Sequence, residues 1–194
     1  MTNNNTLTRG VNSPRVYIGT YRQYNNGSIF GKWFDLCDYA DAEEFGEALQ
    51  EYHKKEYKIY GECEYMAQDW EFIPSSLVND GYIYNCVFEI LQELDEDRIE
   101  HFFKWCELQG VRIDEDADGS DLVEQFEDAF IGHFDFVADV WEWAEEQEAE
   151  ALHCMGIDVE ELDVWRYIDT EALWRCKWYH IAYYDEESGL LYWR

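Results

Sequence analysis

The sequence predicts an α+β fold: an elongated chain of three small units, mixed αβ at both ends with small antiparallel sheets and a helical middle. Two patterns predict it. Short runs rich in aromatic and β-branched residues lie near both termini. Apolar residues between them recur at helical spacing. Composition supplies the third observation. The 194 residues are 47% hydrophobic and include nine Trp, fifteen Tyr and eleven Phe. A chain with that much to bury folds, whereas an acidic disordered chain has few aromatics.

The elements follow in order. Residues 1–13 read as a flexible polar leader. Arg15-Val-Tyr-Ile-Gly-Thr-Tyr21 alternates as a strand does, and Asn25-Asn-Gly27 signals a turn before a returning strand from Ile29 to Leu36. A helix is expected from Asp41, with Glu44 three residues on completing a capping-box pattern. Tyr57 to Tyr65 reads as a further strand. The middle holds two amphipathic segments, Ile83 to Leu94 and Asp97 to Leu108. Then come a helix from Ser120 to Phe130 and a long one from Asp135 to His153. An acidic turn at Asp158 to Asp163 and a short helix near Asp169 follow. Two closing strands, Trp178 to Tyr184 and Leu190 to Trp193, are joined by Asp185-Glu-Glu-Ser-Gly189. The expected divisions are a leader over 1–13, an N-terminal αβ domain over 14–73, a central helical domain over 74–109 and a C-terminal αβ domain over 110–194.

Charge sets this chain apart. There are 44 Asp and Glu against 14 Lys and Arg, a formal net charge of −30. Solubility needs a magnitude of only about 2–8. Double-stranded DNA carries one charge per roughly 1.7 Å, so thirty charges correspond to about 50 Å of duplex. The acids are also segregated. No Lys or Arg occurs from Ile59 to Asp97, or from Ile113 to Trp165, where nineteen acids fall. Acidic helices ordinarily place Lys or Arg at i+4 for support, and like charges at that spacing cost stability. The missing support points to a surface kept acidic for a basic partner.

Other chemistry finds little footing. Six Cys form no C-x-x-C pair, and no His lies in an H-E-x-x-H spacing. There is no G-x-S-x-G and no phosphate-binding glycine loop. Asp114, Asp116, Asp118 and Gly119 imitate the start of a calcium loop, but its twelfth position is Gln125. No catalytic residue, metal ligand or cofactor is expected. The start, Met1 to Val11, lacks the apolar core of a signal peptide, and no apolar run approaches bilayer length, so a cytoplasmic protein with reduced thiols is expected.

Four segments carry a family resemblance. They are Val16-Tyr-Ile-Gly-Thr-Tyr-Arg-Gln-Tyr-Asn-Asn-Gly-Ser-Ile-Phe-Gly-Lys-Trp-Phe34, Gln68-Asp-Trp-Glu71, Gly132-His-Phe-Asp-Phe-Val-Ala-Asp139 and Tyr167-Ile-Asp-Thr-Glu-Ala-Leu173. Together they resemble the ArdA antirestriction proteins over residues 14 to 194. The resemblance implies a DNA mimic carried by mobile genetic elements. It implies an elongated homodimer that binds type I restriction-modification enzymes in the DNA-binding groove of the methyltransferase core. It implies no catalysis or cofactor, and neither nucleic acid nor membrane is an expected direct partner. The acids expected to stand in for phosphates are Glu62, Glu64, Asp69 and Glu71 in the first unit. Further along they are Asp114, Glu115, Asp116, Asp118, Asp121, Glu124, Glu142, Glu145, Glu146, Asp158, Glu160 and Glu161. The alternative function is a calcium-binding or general acidic protein-interaction module.

Overall fold

A computed structural model describes residues 12–157 and 168–194. Its order is β1 (Arg15–Thr20), α1 (Tyr21–Asn25), β2 (Gly31–Asp35), α2 (Ala42–Tyr52), α3 (Lys54–Tyr60), β3 (Tyr65–Glu71), α4 (Asn85–Glu93), α5 (Glu96–Gln109) and α6 (Gly119–Ala129). Then follow β4 (Phe130–His133), α7 (Val137–Cys154), α8 (Thr170–Leu173), β5 (Ala182–Asp185) and β6 (Leu190–Trp193). The fold class is the one the sequence predicts: mixed α and β, with a small antiparallel three-stranded sheet toward each end and helices between. The chain forms two compact units, dividing after Gln125, inside α6.

In the first unit the sheet order is β2-β1-β3. Central β1 sends Val16 and Ile18 inward, both fully buried, opposite Phe34 and Lys32 of β2. The two strands meet so closely at Gly31 that a Cβ there would lie 2.6 Å from the Ile18 carbonyl oxygen. Between Tyr17 and Ile18 the register with β3 slips, leaving Gln68 as the extra residue of a bulge. Helix α2 starts as its capping residues dictate. The Asp41 carboxylate accepts the Glu44 N–H at 2.8 Å, and the Glu44 carboxylate accepts the Ala40 N–H at 2.7 Å. Phe45 and Leu49 of α2 are buried, and Phe45 meets Phe88 of α4 with ring centroids 5.7 Å apart. Burying a side chain of this size contributes about 1.5–3 kcal/mol. Gly110, at φ 67°, ends α5 in the left-handed conformation that favours glycine.

In the second unit the sheet order is β4-β6-β5. Leu190, Leu191 and Tyr192 of central β6 are buried. Helix α7 lays Val140 and Ala144, one turn apart, into a cluster with Trp174, Ala182 and Leu191. Trp143 stands at the edge of this cluster, with centroids 5.2 Å from Trp178 and 5.8 Å from Trp193.

Four elements differ from expectation. The connection between the first two strands is not a bare turn: Tyr21–Asn25 forms helix α1, which Thr20 caps by accepting the Gln23 N–H at 3.3 Å. The segment beginning at Tyr57 is helical to Tyr60, and the strand starts only at Tyr65. Gly61, at φ 81°, caps the helix, and buried Glu56 anchors it. Trp178 is not in a strand: Trp174–Trp178 winds as a wide turn closed by the Tyr179 N–H to the Trp174 carbonyl, and β5 begins at Ala182. The wide turn brings Trp178 against Trp143. Strand β4 is an element that the sequence pattern does not predict. Its four residues lack alternation, and β6 recruits them by pairing, with a register slip between Phe130 and Gly132. The acidic turn expected at 158–163 lies outside the described residues.

Candidate acidic interaction surface

Helix α7 shows how the sequence builds a charged face. Its apolar residues at Val140 and Ala144 turn inward, which leaves Glu142, Glu146 and Glu150 exposed at i, i+4 and i+8, with Glu145 half-buried beside them. These four carboxylates span about 12 Å of helix axis at 1.5 Å per residue, one charge per roughly 4 Å. One strand of duplex DNA carries a charge per about 3.4 Å. None of the four has an ion-pair partner among the described residues. Glu148, on the same helix, is held by Lys177. A neighbouring phenol responds to acids of this unit: the Tyr184 pKa is raised by burial first, and then by Glu186, Asp139, Asp135 and Asp185.

Helix α6 carries its own acids. Leu122, Val123 and Phe126 are buried, so Asp121 and Glu124 are exposed, as are Glu127 and Asp128 beyond them. The loop before α6 holds Asp114, Glu115, Asp116 and Asp118, the last three exposed. Their carboxylates serve the chain locally. Asp114 pairs with Arg112 at 3.2 Å and accepts the Asp116 N–H at 3.3 Å, while Asp118 accepts the Asp121 N–H at 3.1 Å. The calcium-like glycine has a packing role. The Gly119 N–H donates to Glu89 of α4 at 3.0 Å, and a Cβ on Gly119 would lie 2.6 Å from the Cys86 carbonyl oxygen. No group of three or more His, Cys, Asp or Glu among the described residues could hold a metal ion.

In the first unit Glu62 and Glu64 are exposed in the loop before β3, and Asp69 is exposed on the strand. Glu71 differs. It accepts a hydrogen bond from Arg15 Nε at 2.6 Å, so its charge is compensated inside the fold. Asp158, Glu160 and Glu161 lie outside the described residues. Glu127 and Asp128 of α6 and Glu150 of α7, outside the expected phosphate-mimicking set, are exposed on the same helices as its members. The signal was there, in the i+3 and i+4 spacing from Glu124 and Glu146. The buried cysteines are poor nucleophiles: burial pushes the Cys106 thiol up to about 12 and raises that of Cys86.

A family model described as antirestriction protein (ArdA) matches residues 16–183, most of the chain. The chain belongs to the ArdA antirestriction family. Membership brings an antirestriction role directed at type I restriction enzymes, exerted as an inhibitor rather than as an enzyme. Comparison with curated proteins gives no match, and comparison with solved structures gives none. The match takes in all of the first sheet but Arg15, together with α6 and α7, and so all the described acids of the expected set. No helix of this ArdA chain, among the described residues, is long and apolar enough to cross a membrane.

Proposed function

We propose that this ArdA chain inhibits type I restriction-modification enzymes as a DNA mimic, by occupying the DNA-binding groove of their methyltransferase core. The observation that carries the reading is the set of exposed carboxylates on α7. They have no ion-pair partner among the described residues, and with half-buried Glu145 they average one charge per roughly 4 Å of helix axis, near the mean density of one per about 3.4 Å on a DNA strand. They engage the Lys and Arg that line such a groove. Asp121 and Glu124 of α6, the loop acids from Asp114 to Asp118, and Glu62, Glu64 and Asp69 belong to the same set of phosphate-mimicking acids. Glu71, paired with Arg15, contributes least. Asp158, Glu160 and Glu161 complete the set from outside the described residues.

The action is competitive and needs no catalysis, cofactor or metal. It is collective, because single exposed charges contribute modestly and redundantly. The protein works in the cytoplasm as a homodimer and is carried by a mobile genetic element. It also keeps three parts over residues 14–73, 74–109 and 110–194. The net charge of −30 makes direct binding to nucleic acid unfavourable.

A competition experiment tests it. Purified protein at low salt should displace a duplex containing the recognition site from a type I methyltransferase core, with inhibition relieved by excess DNA. Inhibition that excess DNA does not relieve would sink the groove-occupancy reading.

A further inference from the structure

One dipeptide of this chain is prone to react with itself. Asn26-Gly27 is the sole Asn-Gly pair in the sequence. In such a pair the glycine amide nitrogen attacks the side-chain carbonyl carbon of the asparagine, because glycine has no Cβ to obstruct the approach. Every other Asn precedes a residue that has a Cβ, as in Asn12-Ser13, Asn79-Asp80 and Asn85-Cys86. Asn26 and Gly27 are both exposed, just past the end of α1. Nothing among the described residues lies within 4 Å of where a Gly27 Cβ would stand.

The folded turn does not itself allow the attack. At ψ 9° the Gly27 nitrogen nearly eclipses the Asn26 nitrogen, and so is turned away from Cβ. The Gly27 N–H also donates to the Tyr24 carbonyl at 2.9 Å, and the Asn26 N–H to the Arg22 and Gln23 carbonyls at 3.2 and 3.1 Å. Ring closure therefore requires α1 to open. That helix has little apolar hold: none of its five residues is buried. Segments with few buried contacts are the ones that open locally. Three neighbouring side chains instead converge on one carboxylate of α3. Buried Glu56 accepts from Thr20 Oγ1 at 3.0 Å and from Gln23 Nε2 at 3.4 Å, and Arg22 Nε lies 3.5 Å from its other oxygen.

We propose that Asn26 is a site of spontaneous deamidation, and that the hold of Glu56 on α1 sets its rate. When α1 opens, the Gly27 nitrogen bonds to Asn26 Cγ, the Cγ–Nδ2 bond breaks, and the Gly27 proton ends on the departing ammonia. One water then opens the five-membered imide. Opening at one carbonyl gives aspartate, and at the other isoaspartate. Water is the one co-reactant, and nothing is oxidised or reduced. Either product adds a negative charge to the −30 of the chain. Isoaspartate also routes the main chain through its side-chain carbon, between the Asn26 and Gly27 N–H groups. Their bonds to α1 then cannot both re-form, and carbonyls at the end of the helix lose their partners.

The test is incubation of the full chain in mildly alkaline buffer, with peptides covering residue 26 followed by mass spectrometry and isoaspartate read by enzymatic carboxyl methylation. Aspartate and isoaspartate should accumulate at position 26 ahead of every other Asn, and more slowly in the folded chain than in urea. Glu56→Gln should raise the folded rate by about threefold or more, the effect of losing one modest bond, and leave the rate in urea unchanged. Arg22→Ala should do the same. Its side chain is 43% exposed, so this variant carries the test if the Glu56 variant does not fold. A folded wild type that keeps Asn26 intact while the chain in urea loses it would overturn the site. So would faster change at another Asn. Equal rates in the folded chain and in urea, or folded variants no faster than wild type, would overturn the control by Glu56.

Discussion

His53 shows how one side chain in so acidic a protein couples to pH. Burial lowers its pKa from 6.5, against the opposing effects of a hydrogen bond with the Ile18 backbone and the Glu56 carboxylate. Tyr52 and Phe30 pack against its ring, Tyr65 approaches from β3, and the Cys63 thiol reaches its carbonyl oxygen. The unfolded chain therefore binds a proton at His53 more readily than the folded one does. The stability tied to this group is complete above pH 6.5 and is lost as pH falls below it toward the folded value. Denaturant unfolding of the wild type should accordingly weaken with falling pH just below 6.5, by no more than about 1.4 kcal/mol per pH unit. His53→Asn should remove that component, leaving a flatter profile in the same window. Parallel profiles for the two proteins would show that His53 is not the group responsible. Little of this was legible beforehand, because His53 and Glu56 flank Lys54 and Lys55 in a segment that scans as surface. Their burial follows from α1 folding back to place Thr20 and Gln23 over Glu56, a long-range event with no local signature.

At the scale of the element, α7 trades stability for charge. Glu146 has like charges one turn away on either side, at Glu142 and Glu150. Each such pair costs about 0.2–0.5 kcal/mol. Glu146→Gln should therefore stabilise the fold by about 0.4–1 kcal/mol, a rise of about 1–4 °C in melting temperature read by calorimetry. The same substitution, combined with Glu142→Gln and Glu150→Gln, should weaken inhibition of a type I enzyme although the fold is more stable. A loss of both stability and inhibition together would mean these acids are structural. Elements like α7 were readable because one cause decides them, the apolar stripe of Val140 and Ala144, and the acids fall opposite it. The start of α2 was equally readable from Asp41 and Glu44. Elements decided by a partner were not. Strand β4 is defined by its pairing with β6, and the wide turn at Trp174–Trp178 sets Trp178 against Trp143. The exposure of the described acids was legible residue by residue for the same reason as α7, apart from Asp114, paired with Arg112, and Glu71. Its neutralisation by Arg15 depends on a strand register fifty-six positions away in sequence.

For the whole molecule, the charge of −30 has two consequences of opposite sign in salt. Inside the fold the acids repel one another, and screening relieves that repulsion. Between the protein and a basic groove the acids attract, and screening weakens that attraction. The Debye length is about 10 Å at 0.1 M and about 3 Å at 1 M. Neighbouring α7 carboxylates one turn apart are separated by about 6 Å along the axis. Physiological salt therefore leaves most of their repulsion in place, and much of the relief arrives only toward 1 M. The melting temperature should accordingly keep climbing between 0.1 and 1 M sodium chloride. Sulfate would be the wrong salt, because its exclusion from protein surfaces stabilises any fold. Inhibition should fall over a lower range, by at least about tenfold between 50 and 200 mM, since several charged contacts form together. An ordinary acidic protein acting through apolar anchors would show the first response without the second. Charges already compensated within the fold would give a flat melting curve. Only a surface held acidic at the expense of stability, and used against a basic groove, gives a rising melting temperature alongside falling potency in the same buffers.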